Sequence, residues 1–291
     1  MAGLVSRPVE ALRQVDGWAV GRVAVGVTRS AAVVAIRGAP DEQFPLASVT
    51  KLVTTLAALV ASEEGIVDLD EPAGPPGATV RHLLAHASGL PLEGERPIAR
   101  PGTRRIYSNT AFAVLGELVA ERAEMSFTEY ARAAVAEPLG LGLDTSGHPG
   151  SGMRGSIADL LALGRELLAP RLVAPETLAE ATTVQFPGLD GVVPGFGRQS
   201  PNDWGLGFEL KDAKSPHWTG ETSSSRTFGH FGRSGTFLWV DPDARLACAC
   251  LVDRDFGDWA RSAWPRLSDA VLAEAAPTAA EIRRATRAAG G

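Results

Sequence analysis

The hydrophobic pattern predicts strands near both ends of the chain. Alternating or continuous apolar runs that are rich in β-branched and aromatic residues are typical of half-buried or fully buried strands. The first two runs predict a hairpin, and the others follow a glycine- and proline-rich stretch at 186–203. The predicted strands are 22–29, 31–37, 205–210, 227–232, 236–240 and 244–252.

Between these two groups of strands, apolar residues recur at helical spacing. The first helix carries Ser48 and Lys51 and ends near Gly65, and a glycine- and proline-rich loop at 71–78 follows it. Further helices are predicted at 79–87, 110–123, 126–135, 156–168 and 175–183, with a short helix at 8–15 before the first strand, a closing helix at 259–275 and a polar helical tail at 276–291.

The order of strands, helices and strands predicts an α+β fold. An antiparallel sheet formed from both ends of the chain would be flanked by helices and would carry an inserted, mostly helical subdomain. We expect the sheet domain to comprise residues 1–70 and 187–291, and the helical subdomain residues 71–186. The helix that carries Ser48 would then lie between the two parts, where clefts usually form.

The first candidate for chemistry is the pair Ser48 and Lys51. The chain has only three lysines, and this one follows a serine by three residues in the sequence Ser-Val-Thr-Lys. Residues three apart share a helix face, so the amine can reach the hydroxyl. A deprotonated lysine can remove the serine proton and create a nucleophile, which arginine cannot do. The alternative is a solvated helix lysine.

The second candidate is the segment that holds Tyr107 and Asn109. The chain has two tyrosines and two asparagines, and one of each lies here, between a turn-rich stretch and a predicted helix. A phenol in such a loop can relay a proton, and an amide can hold a substrate carbonyl or orient the lysine. The alternative is that Asn109 caps the helix and Tyr107 packs beneath it.

The third candidate is the segment His230-Phe231-Gly232, which is followed by a strong strand pattern. A glycine at 232 allows close approach of a substrate or of backbone. A strand at the edge of a cleft can also offer a backbone N–H to a developing oxyanion. A second His-x-Gly match, His148-Pro149-Gly150, lies in a predicted turn with no flanking strand.

These three segments, in this order, resemble the serine β-lactamase and penicillin-binding-protein superfamily. The resemblance is greatest to the branch that includes class C β-lactamases, D,D-peptidases and β-lactamase-like esterases. Two further stretches, 81–90 and 204–208, are similar to that branch as well. The chain departs from it at His230, where most β-lactamases have the lysine of a lysine-threonine-glycine triplet. A histidine in that place resembles certain D,D-peptidases and esterases.

The resemblance implies a role for each candidate residue. Ser48 would be the acylated nucleophile, Lys51 its base and Tyr107 a proton relay. Asn109 would orient the substrate and the lysine. His230 and Gly232 would line the third wall of the site, and the amides of Ser48 and Arg233 would form the oxyanion hole.

Composition restricts the remaining possibilities. The 291 residues are 45 % hydrophobic, enough for a large core, and a net charge of −6 argues against nucleic acid as a partner. Cys248 and Cys250 alternate with Ala249, which predicts buried structural thiols on one side of a strand. His82 and His86 are four apart, but no carboxylate lies between them, so capping and packing are expected rather than metal binding. No metal or cofactor is predicted.

Segments for export or membrane insertion are not recognised. The first ten residues contain no apolar core of a signal peptide, and no stretch approaches the roughly 20 apolar residues of a membrane span. We therefore expect a cytoplasmic protein with no membrane partner. The sequence does not predict the oligomeric state.

The expected function is that of a serine hydrolase that cleaves small esters or amides through an acyl-enzyme. β-Lactams are expected to acylate it but to turn over slowly, because a neutral His230 holds a carboxylate less firmly than a lysine does. One alternative is a true β-lactamase or D,D-carboxypeptidase. Another is a catalytically silent binding or scaffold protein with the same fold. An α/β-hydrolase is disfavoured because no G-x-S-x-G pentapeptide is present.

Overall fold

A computed structural model describes residues 9–276 of the chain. The predicted tail at 276–291 and the first residue of the predicted helix at 8–15 lie outside this range, apart from Ala276. The strands of this part of the chain are β1 (Val23–Thr28), β2 (Val33–Arg37), β3 (Phe44–Pro45), β4 (Arg154–Gly155), β5 (Gly191–Val193), β6 (Gly197–Gln199), β7 (Glu209–Leu210), β8 (Phe228–Gly232), β9 (Thr236–Asp241) and β10 (Leu246–Val252).

Six of these strands form one antiparallel sheet. Its order is β2-β1-β10-β9-β8-β7, so strands from the two ends of the sequence meet where β1 pairs with β10. The register places Val25 opposite Cys250 and His230 opposite Leu238. The predicted α+β fold with an antiparallel sheet from both chain ends is therefore confirmed. Two small sheets, β3–β4 and β5–β6, lie outside it.

Helices cover both faces of the sheet. The α-helices are α1 (Thr50–Glu63), α2 (Val80–Leu84), α3 (Asn109–Ala123), α4 (Phe127–Ala131), α5 (Glu137–Leu139), α6 (Ile157–Leu168), α7 (Pro175–Ala181) and α8 (Asp258–Ala275). 3-10 helices are present at Glu10–Gly17 and Ala47–Val49, and a π-helical turn joins α4 to α5 at Arg132–Ala136.

The alternation of side chains along β10 shows how the core is divided. Ala247, Ala249 and Leu251 face one buried cluster with α1 and α6, whereas Cys248 and Cys250 face a second cluster with α8. Because both faces of the strand are covered, its sequence is apolar throughout. Both cysteines are buried free thiols, as the sequence predicted.

Helix α1 lies at the centre of the larger core. Every residue from Thr50 to Ala61 is buried, and the helix packs against β8, α3 and α4. This burial on all sides explains why its sequence is almost continuously apolar rather than amphipathic. Its N-terminus is thereby fixed at the point where the sheet and the helices meet.

The division into a sheet domain and a helical subdomain remains a prediction. The strands of the main sheet do come from 23–37 and 209–252, with most helices between them. Helix α6, however, which we placed in the helical subdomain, packs directly against β1, β9 and β10. Within residues 9–276, no helix is both long enough and apolar enough to cross a membrane.

Candidate active site

Ser48 lies on the 3-10 turn Ala47–Val49 that precedes α1, rather than on the α-helix itself. Ala47 has a φ of 45°, a left-handed conformation that is unusual for alanine. The turn is held in place by the sheet, because Thr236 Oγ1 donates to Leu46 O at 2.9 Å and Ser234 Oγ donates to Pro45 O at 2.8 Å. These anchors offset a backbone strain of roughly 1–3 kcal/mol.

Gly232 allows β8 to lie directly against this turn. A Cβ atom added there would lie 2.6 Å from Leu46 O and 2.5 Å from Thr236 Oγ1. Both distances are too short for a Cβ atom, since real Cβ contacts are longer than 3.0 Å. The glycine of the His-x-Gly segment is thus required by the close approach of two backbone segments, as the sequence indicated.

Lys51 is the second residue of α1, three residues after Ser48, and is fully buried. Its Nζ donates to Asn109 Oδ1 at 2.6 Å and to Gly150 O at 2.7 Å. Burial lowers the pKa of Lys51 well below its usual value, although the negative charge of Glu93 raises it in part. A neutral amine has two N–H bonds and one lone pair. With both N–H bonds taken by these oxygens, the lone pair is left free.

The carbonyl of Gly150 is a contribution that the sequence did not predict. We interpreted His148-Pro149-Gly150 as a turn without a role. The segment is a turn, in which the Gly150 N–H donates to His148 Nδ1 at 2.9 Å. It nevertheless supplies one of the two partners of Lys51, and the Pro149 carbonyl accepts from Thr54 Oγ1 at 2.6 Å.

Tyr107 lies on the loop before α3 with its hydroxyl beside Ser48 and His230. Burial raises the pKa of Tyr107 well above its usual value, and the hydrogen bond with the Ser48 side chain opposes this shift. The hydroxyl is 3.4 Å from His230 Nε2. Tyr107 is therefore a protonated phenol placed between the serine and the imidazole.

His230 is a neutral imidazole. Its Nδ1 lies 2.7 Å from Phe231 O, which can only accept, so this nitrogen carries the proton and Nε2 faces Tyr107 as an acceptor. Burial and the nearby Lys51 lower the pKa of His230 to about 3, although the Phe231 carbonyl opposes them. The third wall of the site therefore lacks the positive charge of a lysine.

Asn109 is the first residue of α3, but it does not cap the helix. The cap is Ser108, whose Oγ accepts from the Ala111 N–H at 2.9 Å. The Asn109 side chain is therefore available to the site, where its Nδ2 donates to Glu93 Oε1 at 2.8 Å. Glu93 is an exposed loop residue without a motif, and its contact with Asn109 could not be predicted from spacing.

His86 positions Tyr107 from both sides. The His86 carbonyl accepts from the Ile106 N–H at 2.8 Å, and its Nδ1 accepts from the Ser108 N–H at 3.2 Å. The imidazole also stacks 4.6 Å from the Tyr107 ring. We predicted capping and packing for His82 and His86. His82 does bond to Thr79 at the start of α2, whereas His86 supports the loop that carries Tyr107.

A buried carboxylate, Glu209, forms part of the same site. Burial alone would raise its pKa, but the charge of Lys214 and the hydrogen bonds from His217 and Trp218 outweigh that effect and lower the pKa. Lys214 Nζ and His217 Nε2 lie 3.2 and 3.0 Å from Glu209 Oε1. The sequence offered no signal for this cluster, because its members have no catalytic spacing.

A cavity of about 360 Å³ connects these groups. Five of the seven predicted site residues line it, whereas Lys51 is fully buried and Gly232 lies against the turn that carries Ser48. Trp204 and Phe231 contribute apolar walls, whereas Trp218 and Trp239 are core residues. The residues around the cavity are Ser48, Leu92, Glu93, Tyr107, Asn109, Val193, Pro194, Trp204, Glu209, His230, Phe231, Arg233 and Phe256.

The fold and this arrangement define a hydrolase of the β-lactamase type. The chain belongs to the beta-lactamase family, whose model matches residues 13–273. A solved beta-lactamase from Mycobacterium bovis is 55 % identical, with a TM-score of 0.91, and the match covers 92 % of this chain and all of that one. The hydrolase EstCE1, described as having promiscuous acyltransferase activity, shares the fold at 19 % identity and a TM-score of 0.74, over 90 % of this chain and 96 % of EstCE1.

Two curated relatives match over shorter stretches. Penicillin-binding protein 4* of Bacillus subtilis and the D-alanyl-D-alanine-carboxypeptidase/endopeptidase AmpH of Escherichia coli are each 27 % identical. The matches cover 34 % and 36 % of this chain, and 29 % and 37 % of the respective relatives. The chain thus matches about a third of the length of these relatives.

Proposed function

We propose that this protein is a serine hydrolase that cleaves small esters or amides through an acyl-enzyme on Ser48. The observation that carries the proposal is the environment of Lys51. Its burial favours the neutral amine, and its two hydrogen bonds leave one lone pair for a proton. A base of this kind next to a serine at the start of a helix is suited to acyl transfer.

In the proposed first step, Lys51 Nζ takes the proton from Ser48 Oγ, and Oγ bonds to the substrate carbonyl carbon. The carbonyl oxygen becomes negative and is stabilised by the N–H groups of Ser48 and Arg233. The peptide group that carries the Arg233 N–H is held in place because its carbonyl, that of Gly232, accepts from the Gly235 N–H at 3.1 Å.

The bond to the leaving group then breaks, and the proton held by Lys51 passes to the leaving oxygen or nitrogen through the Tyr107 hydroxyl. Because its pKa is raised, this hydroxyl stays protonated and can give a proton on one side while it takes one on the other. Water attacks the acyl-enzyme by the reverse sequence and releases the acid.

The charges around the cavity favour substrates without a carboxylate. His230 is neutral, and the exposed carboxylate of Glu93 lies against Asn109. A substrate carboxylate beside Glu93 would meet a like charge. Arg233, which also lines the cavity, is the one nearby cation among the lining residues that can oppose this effect.

A second candidate is a β-lactamase or a D,D-carboxypeptidase. The solved protein that is 55 % identical is named a beta-lactamase, and AmpH is named a D-alanyl-D-alanine-carboxypeptidase/endopeptidase. Arg233 would then bind the substrate carboxylate.

A substrate panel separates the two candidates. Wild type and Ser48→Ala are assayed with p-nitrophenyl acetate and butyrate, D-amino-acid amides and a chromogenic cephalosporin. We expect Ser48-dependent hydrolysis of the esters, with slow turnover of the cephalosporin. A kcat/KM for the cephalosporin about tenfold or more above that for the esters, a gap of ~1.4 kcal/mol, would identify a β-lactamase instead.

A further inference from the structure

An apolar groove lies beside the Ser48 cavity. Leu92, Ile98, Ile106, Val192 and Pro194 line it, and its volume is about 330 Å³. We call these five residues the apolar groove. Leu92, Pro194 and Tyr107 line both this space and the Ser48 cavity, so the two adjoin each other.

The groove contains the most exposed large hydrophobic side chains of the part of the chain that the structure describes. Within residues 9–276, six large hydrophobic residues are exposed, and the three most exposed are Ile98 at 63 %, Val192 at 58 % and Leu92 at 50 %. All three line the groove, although Leu92 and Ile98 lie between α2 and α3 and Val192 lies on β5. Apolar surface that is concentrated in one place next to a catalytic cavity marks a ligand site.

The charged residues at the groove do not offer it a free buried charge. Arg105 contributes to the wall, but its guanidinium donates to the carbonyls of Asn202, Ala85, Gln185 and Phe186. Arg104 also lines the groove, but it is an exposed residue whose charge acts on the nearby Asp190, the partner of Arg198. The occupant that fits is therefore uncharged and apolar where it contacts the groove.

The position of Tyr107 indicates which part of the substrate lies in the apolar groove. Tyr107 is the one member of the proposed catalytic set that lines the groove, whereas Ser48, Asn109, His230 and Arg233 line the Ser48 cavity alone. In the proposed function, Tyr107 delivers the proton to the leaving atom. The part of the substrate that extends past Tyr107 is therefore the leaving group.

We propose that the apolar groove binds the hydrocarbon part of the leaving alcohol, so that the preferred substrates are esters of extended apolar alcohols. This inference rests on the proposed function. Each added methylene that is buried should raise kcat/KM by up to about fourfold, until the groove is filled.

The test uses two ester series and matched variants. One series keeps the acetyl group and lengthens the alcohol from ethyl to hexyl, and the other keeps the p-nitrophenyl group and lengthens the acyl chain. Hydrolysis is followed by pH-stat titration or by release of p-nitrophenol. We expect kcat/KM to rise by about tenfold or more along the alcohol series in the wild type. In the double variant Ile98→Ser/Val192→Ser, the rise should fall below about threefold.

The control is Val33→Ser/Ile36→Ser, which alters two exposed apolar residues on β2, away from the groove. This variant should keep the wild-type dependence on alcohol length. The inference is overturned if the groove variant weakens the dependence of kcat/KM on chain length only in the acyl series, or in neither series. The proposed function still holds in that case, provided that hydrolysis depends on Ser48. A dimer that dissociates in the groove variant, with the alcohol dependence unchanged, assigns the groove to a second copy of the chain. If the wild type shows no ester hydrolysis that depends on Ser48, both the inference and the proposed function are overturned.

Discussion

At the scale of single residues, the neutral form of Lys51 follows from its surroundings. An isolated ammonium group in a fully buried site is costly, and Asn109 and Gly150 offer it neutral oxygens rather than a carboxylate. Desolvation also acts on His230 and Tyr107. It keeps Nε2 of His230 unprotonated and the hydroxyl of Tyr107 protonated. Burial, more than charge pairs, therefore sets the protonation states that the proposed mechanism requires of these three groups.

The substitution Lys51→Arg tests this setting. Arginine keeps a positive charge and cannot accept the serine proton, so we expect ester hydrolysis to fall by about 10²–10⁴ or more. The matched control is Lys211→Arg, since Lys211 is also buried and also donates to backbone carbonyls, those of Glu221 and Ser223. Circular dichroism and steady-state kinetics of both variants give the answer. Retained activity in a folded Lys51→Arg protein would assign Lys51 an electrostatic role.

The pH dependence of kcat/KM follows from the same groups. Activity that needs neutral Lys51 is present above its lowered pKa and is lost as the pH falls through that value. His230 adds no acidic limb above its pKa of about 3, and Tyr107 stays protonated well into the alkaline range. We therefore expect one acidic limb and a broad plateau.

A substitution of Glu93 tests whether the titration of Lys51 causes this acidic limb. The negative charge of Glu93 raises the pKa of Lys51, so Glu93→Gln should lower this pKa and move the acidic limb to lower pH. The measurement is a pH–rate profile of wild type and variant with an uncharged ester. A limb that stays in place or moves to higher pH contradicts the assignment to Lys51.

At the scale of elements, the site depends on close contact between segments far apart in sequence. The turn at Ala47–Val49 is tied to β9 and lies against β8 at Gly232, and the loop before α3 is supported by His86. Local sequence predicted the helices and strands because their apolar periodicity is strong. It did not predict β5 and β6, which are short and glycine-rich and form within the predicted return segment.

Gly232→Ala tests the contact between β8 and the Ser48 turn. The added methyl group would meet the Leu46 carbonyl, so the turn must shift; we expect a loss of roughly 1–3 kcal/mol in unfolding free energy and of about 10² in rate. Gly17→Ala is the control, because a Cβ there meets nothing within 4 Å and the φ angle is ordinary. Thermal denaturation and ester kinetics measure both effects. Wild-type activity in Gly232→Ala would contradict the tight contact.

At the scale of the whole molecule, the predicted α+β fold is confirmed, whereas the roles of the site residues remain predictions. Ser48, Tyr107, Asn109, His230 and Arg233 do meet at one cavity, while Lys51 is fully buried and Gly232 lies against the turn that carries Ser48. Glu93, Glu209, His86 and Gly150 could not be predicted, because each acts through a contact made only after folding. Their residue types are common in loops and turns, and no spacing along the chain distinguishes them.

The most direct test of the central claim is intact-mass spectrometry after treatment with a fluorophosphonate or a penicillin. We expect one adduct per chain, mapped by peptide digestion to the segment that holds Ser48 and absent from Ser48→Ala. An adduct of equal yield in Ser48→Ala, or an adduct on another residue of the folded wild type, would contradict it.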